Sequence, residues 1–268
     1  MTGPLLPSGK IPGTLLADLL RRYPIADQRV LIGPGMGRDA AALQMTDTAL
    51  VIKTDPITFP TDDAAWHLVH INANDLACQG ATPRWLLVTA LLPAGETTTS
   101  SVIDIFERLH AAASSIGIVV IGGHTEVTDG VTRPILMGTM LGEVPTPRLV
   151  DPTRAQSGDR LLMTASAGIE GTAILAHSAR SSSLPDEILR TAKRYVESPG
   201  ISVLAAARAL HDADAVSAMH DPTEGGIATA VREMAMAAEA GAVISRPAIT
   251  VTAETQAVCK LFGIDPLG

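Results

Sequence analysis

The chain has 268 residues, of which 46% are hydrophobic, 18% charged and only 3% aromatic. That balance excludes a disordered chain and predicts cores of Ala, Val, Ile and Leu in one large or two modest domains. With 28 acidic against 20 basic residues the net charge is −8, which argues against a nucleic-acid groove or a contact with anionic membrane, and any phosphate ligand would need a cation to mediate its contact.

The start, Met1 to Lys10, is rich in Pro and Gly and lacks the basic-then-apolar pattern of a signal peptide. No apolar run reaches the ~20 residues that span a bilayer. Cys78 and Cys259 have neither metal-ligand nor disulfide-framework spacing, so both are expected as buried free thiols in a reducing cytoplasm.

In chain order, a short helix is predicted over Thr14 to Arg22 and strands at Val30 to Gly33, Ala40 to Met45 and Leu50 to Thr54, with a hairpin turn at Thr46 to Thr48. A long helix from Asp63 to Gly80 is apolar on both sides and therefore buried. Next come a strand at Trp85 to Leu92, a helix at Ser101 to Ile116, and strands at Ile118 to Ile121 and Ile135 to Gly142. The Pro- and turn-rich stretch Glu143 to Asp159 marks a boundary, dividing the chain into domains 1–150 and 151–268. Beyond it, strands are expected at Arg160 to Thr164 and Ala215 to Met219. Helices are expected at Ile169 to Ala179, Asp186 to Glu197, Ser202 to Leu210 and Ile227 to Ala240. The class is α/β (α+β).

The segment Gly33 to Asp39 looks at first like a dinucleotide fingerprint, with Asp55 suitably placed beyond it. Arg38 occupies the third fingerprint position, however, and the interval from Asp39 to Leu50 is too short for a helical crossover. The glycines, Gly35 and Gly37 among them, instead open a loop that presents Asp39. Asp55 is expected at a strand exit. Asn74 and Asp75 fall within the buried helix, where a charged Asp75 must be either paired, by a salt bridge or as an internal cap, or bound to a cation. Carboxylates at Asp39, Asp55 and Asp75, drawn from three segments, suit Mg²⁺, which takes one or two carboxylates plus water and phosphate oxygens. Gly122, Gly123, His124 and Glu126 are expected in a loop after a strand. There His124 is either functional or a satisfied loop histidine, and Glu126 is functional or a solvated acid. In Asp221 to Gly226, Asp221 with Gly225 and Gly226 leads into a helix whose N-terminus can receive an anion, ordinary capping being the alternative.

Together, Gly35 to Ala40, Lys53 to Phe59, Asn72 to Pro83, Gly122 to Glu126 and Asp221 to Gly226 resemble, in order and spacing, the AIR synthase-related (PurM-like) superfamily. Ala167 to Ile174 adds similarity to its HypE-like hydrogenase-maturation branch. The resemblance implies a PurM-like two-domain architecture, with an N-terminal sheet-and-helix domain forming a dimeric barrel. It implies an α/β C-terminal domain closing over ATP, here incomplete. It also implies Mg²⁺–ATP held by Asp39, Asp55 and Asp75, with Lys10 in an arm that can fold over the nucleotide. His124 and Glu126 are the catalytic candidates. Arg38 stands where relatives often carry an acid, His124 where some do although selenophosphate synthetase-like sequences also use His, and the chain reaches Asp265-Pro-Leu-Gly268 without the terminal cysteine through which HypE works.

The leading expectation is an ATP-dependent enzyme that phosphorylates an amide or carbonyl oxygen on a small molecule or carrier protein. It would act as a homodimer, with a maturation partner protein. Two alternatives are a small-molecule kinase resembling thiamine-monophosphate kinase and a catalytically silent nucleotide-binding scaffold.

Overall fold

The structure is a computed structural model and describes residues 12–22, 25–35, 37–38, 40–59, 61, 63–180 and 183–268. Six strands form one mixed sheet: β1 (Val30–Ile32), β2 (Ala41–Gln44), β3 (Thr48–Ile57), β4 (Thr82–Pro93), β5 (Val119–Thr128) and β6 (Ile135–Pro145). Their spatial order is β1-β2-β3-β6-β4-β5. Every neighbouring pair is antiparallel except β4–β5. The predicted hairpin between β2 and β3 is closed by the Met45 amide, which donates to Thr48 O at 2.9 Å.

The helices are α1 (Gly13–Arg22), α2 (Ala64–Cys78), α3 (Thr99–Ser115), α4 (Ile169–Ser178), α5 (Asp186–Lys193), α6 (Leu204–Asp212), α7 (Gly226–Ala237) and α8 (Ala253–Phe262). A parallel strand pair needs a crossover element. Helix α3 supplies it between β4 and β5, started by a reciprocal capping box of Thr98 and Ser101.

Side chains alternate across the strands, so β6 buries Leu136, Gly138, Met140, Gly142 and Val144 on one face. Helices α2 and α3 pack on that face, and Val51, Leu68, Val69, Leu76, Leu86 and Leu92 complete the core. Each fully buried side chain of this kind contributes roughly 1.5–3 kcal/mol. The other face carries Leu50, Ile52, Trp85, Leu91, Ile135, Met137 and Leu141, all half-buried, and an exposed Leu87.

Helix α2 is buried on all sides, as its two apolar faces require. It lies against β3, β4 and β6 on one side, α3 on another and α6 of the second half on a third. The second half packs around a smaller cluster of Ala176, Leu189, Ala192 and Val258.

Four expectations are corrected. Asp55 lies inside β3 rather than at its exit, paired in register with Gly138, and Pro56 follows it within the strand. Pro56 is tolerated because β2 pairs only with Ala49 to Ile52, leaving that side of β3 without a ladder beyond. Gly122 to Glu126 is not a loop after a strand but the middle of β5, in ladder register with Leu87 to Leu91. The strands expected at Arg160 to Thr164 and Ala215 to Met219 are irregular, with no ladder partner among the described residues; Leu161 and Leu162 stand 53% and 73% exposed. Helix α8 was not anticipated, although Thr252 caps its start by accepting from the Thr255 amide and Gly263 ends it in a left-handed conformation.

No helix among the described residues is long and apolar enough to cross a membrane.

Candidate functional site

The central feature is a charge cluster between β3 and α2. Lys53 and Asp55, two residues apart on β3, project from the same face of the strand. Lys53 Nζ lies 3.2 Å from Asp55 Oδ2 and 3.2 Å from Asp75 Oδ2 of α2. The side chains of Lys53 and Asp75 are 14% and 5% exposed, and that of Asp55 is 35% exposed, so the cluster opens to solvent on the Asp55 side. Of the two alternatives open for Asp75, the structure contains the salt bridge. Lys53 had no role in the sequence-based site; alternation along β3 relative to Asp55 was the signal for it.

Helix α2 sets this geometry through a stripe of polar residues on its sheet-facing side, Asn72, Asp75 and Gln79, spaced three and four apart. Asn72, fully buried, accepts a hydrogen bond from the Asp55 amide at 3.2 Å and donates to Leu68 O at 2.9 Å. Gly138 makes room for it, since a Cβ there would lie 3.1 Å from Asn72 Nδ2. Gln79 Nε2 donates to Ala40 O at 2.8 Å, tying the start of β2 to the C-terminal end of α2.

Asn74, expected at a nucleotide, joins the two halves. It donates to Ile201 O at 2.8 Å and accepts from the Val203 amide at 2.9 Å. A second link is His67, whose Nδ1 lies 2.9 Å from Glu170 Oε1, in the Ala167 to Ile174 segment at the start of α4. Sequence reasoning missed both His67 and Glu170; the buried helix and the Ala167 to Ile174 segment contained them, but nothing local paired them.

The loop of Gly35 and Gly37 meets the second half at α7. Gly37 has φ +70°, and a Cβ would fall 2.4 Å from Glu233 O of α7, so only glycine permits this approach. Gly35 bridges to Arg38 within the same loop. Glu233 Oε2 is 3.0 Å from His220 Nε2, and His220 Nδ1 is 3.9 Å from Asp221 Oδ1, all three largely buried. Gly225 adopts a left-handed N-cap of α7, and Leu267 O accepts from the Ala228 amide in the helix's first turn. That contact takes one of the donors expected to face an anion. Asp39 and Lys10 lie outside the described residues.

His124 and Glu126 do not join Asp55 and Asp75 of their own chain. Their side chains share a face with Thr89 and Leu91, opposite α2, and β4 and β6 separate their strand from β3, a lateral distance of roughly 14 Å at usual strand spacing. His124 Nε2 lies 3.0 Å from Glu126 Oε2, with both side chains exposed. Gly122 and Gly123 are ladder residues; a Cβ on Gly123 would lie 1.8 Å from Val88 O.

The donor set fits magnesium. Among the described residues no three His, Cys, Asp or Glu side chains cluster closely enough to cage a metal. Two carboxylates from separate elements, one of them open to solvent, match an ion that keeps waters and takes the rest of its ligands from a polyphosphate. Cys78 and Cys259 are both buried, and burial pushes the Cys259 thiol above its usual range.

Two family models match: the AIR synthase related protein N-terminal domain over residues 37–144 and its C-terminal domain over 156–268. The carbamoyl dehydratase HypE of Cupriavidus necator is 33% identical over 242 residues, covering 86% of this chain and 66% of that protein; the chain thus spans about two thirds of that relative. A solved HypE–HypF complex superposes with TM-score 0.74 at 19% identity, covering 94% of this chain and 80% of that one. A HypE structure in complex with ATP matches with TM-score 0.61 at 26% identity, covering 98% and 76%. These relatives support a two-domain PurM-like fold.

Proposed function

The chain belongs to the AIR synthase related protein family and carries both of its domains, and on that premise we propose that it uses Mg–ATP to phosphorylate an amide or carbonyl oxygen, as a dehydratase of the HypE type in hydrogenase or metalloenzyme maturation. The observation that carries this reading is the Lys53–Asp55–Asp75 cluster, held in register by Asn72. An amide oxygen is a poor leaving group; once phosphorylated it departs as phosphate, and loss of N–H protons leaves a carbon–nitrogen multiple bond. Asp55 and Asp75, with Asp39 from the sequence, are the residues that would hold Mg²⁺, which neutralises phosphate charge when bound. This chain's own contribution is positioning: Asn72 fixes the backbone of Asp55, and Asn74 fixes the second half against the same helix.

A homodimer belongs to this reading. Its support is the apolar sheet face opposite α2, with Trp85, Leu87, Met137 and Leu141. Paired across such a face, His124 and Glu126 serve the dimer contact or the neighbouring subunit's site. A protein partner is supported by the HypE–HypF complex.

The test is Mg-dependent ADP formation by the full chain with carbamoylated acceptors, alongside calorimetric ATP binding by Asp39→Asn and Asp75→Asn variants. Absence of any Mg-dependent turnover, or ATP binding indifferent to both substitutions, would sink the proposal. Transfer of the γ-phosphate to a stable product would favour the kinase alternative. ATP binding without hydrolysis, together with tight capture of a partner protein, would favour the scaffold.

A further inference from the structure

Lys53 holds its ammonium group 3.2 Å from a carboxylate oxygen of Asp55 and 3.2 Å from one of Asp75, with its own side chain only 14% exposed. A carboxylate as buried as Asp75 needs a compensating cation, and here the chain itself supplies one. A magnesium ion on these acids must come within about 2.0–2.1 Å of their oxygens. A dication at that distance and an ammonium already against the same oxygens repel one another, so binding the metal requires Lys53 to swing away. Its four-carbon stem allows the movement. The displaced ammonium then needs a new anion, which a free metal ion does not bring and a metal–polyphosphate does.

We propose that Lys53 is an internal counter-ion that excludes free divalent cations from Asp55 and Asp75 and yields to a cation arriving with a nucleotide polyphosphate. Metal and nucleotide then bind with positive coupling, and the site selects the metal–nucleotide complex over the metal alone. Lys53 is a positioning and selectivity residue in this scheme. The inference rests on the Mg–ATP reading of the same site.

Mn²⁺, whose free concentration is read by electron paramagnetic resonance, serves as the probe, with and without a non-hydrolysable ATP analogue. The wild-type chain is expected to bind Mn²⁺ weakly alone and on the order of tenfold more tightly with the analogue. Lys53→Met is expected to bind Mn²⁺ alone more tightly than wild type by a similar factor and to lose most of the coupling. Lys53→Arg, which keeps the charge, is expected to retain it. Thermal unfolding checks that each variant is folded, and Lys53→Gln stands in should the methionine variant fail to fold. Unchanged or weaker Mn²⁺ binding by the neutral variants overturns the inference, as does an arginine variant that behaves like the methionine one. If Asp75→Asn removes Mn²⁺ binding while Lys53→Met changes nothing, only the inference fails. If Asp75→Asn binds Mn²⁺ like wild type in the presence and absence of nucleotide, the site reading itself fails and the inference with it.

Discussion

Replacing His70 with leucine gives a pH test of the interior of α2. His70 is 3% exposed, its ring lies 4.1 Å from that of Trp66, and neither ring nitrogen has a hydrogen-bond partner among the described residues. Burial, first, and the neighbouring His67, second, push its pKa from 6.5 down to about 4, while Asp63 pulls weakly the other way. As pH falls below 6.5 the unfolded chain takes up a proton at this position that the folded chain refuses until about pH 4, so the folded state loses stability over that window. At 1.36 kcal/mol per pH unit the full interval amounts to about 3 kcal/mol, of which roughly 2 kcal/mol falls between pH 7 and 4.5. Urea denaturation of wild type and His70→Leu at pH 7, 6, 5 and 4.5 measures this. The wild type should lose roughly 2 kcal/mol more than the variant across the series, and the variant should be no less stable at pH 7, because it removes two buried nitrogens that lack partners. Parallel stability curves for the two proteins would refute the argument.

Gly123→Ala should cost more than about 3 kcal/mol or prevent folding, since its Cβ would overlap Val88 O; Gly122→Ala has similar backbone strain but open space, and should cost only about 1–3 kcal/mol by thermal unfolding. Asn74→Ala removes two hydrogen bonds to the 201–203 segment and should destabilise the protein by about 2 kcal/mol, with faster proteolytic cleavage between the halves. Hydrogen exchange should be slow in β3, β4 and β6 and fast across 160–164 and 241–245, where no ladder protects the amides; uniform protection in both halves would contradict the fold.

The first half was legible because its elements announce themselves locally. Most strands of the sheet are apolar runs or alternations closed by a turn, β5 beyond Ile121 being the exception, and α2 could be read as buried from its two apolar faces. The site was only partly legible. Asp75 had to be compensated, but whether by a lysine or a metal depends on what faces it across the core, and Lys53 is 22 positions away in a different element. His124 and Glu126 were expected in a loop because glycines precede them, yet those glycines lie within β5, beside a register shift between β4 and β5 that period-2 reasoning cannot foresee. The strands expected in the second half had suitable composition, but a strand exists only when a partner accepts its hydrogen bonds.

Helix α2 has a consequence for how the molecule is made. Both of its sides are apolar, and its exit from water is completed by α6 and by the 201–203 segment, which are synthesised more than a hundred residues later. A nascent first half therefore emerges from the ribosome with a greasy, partly clad rod along its surface, and it stays vulnerable to self-association until the second half arrives. Chaperone dependence in the cell should track the interval between those two events, so slowing translation after residue 150 would lower soluble yield without altering a single contact in the finished protein.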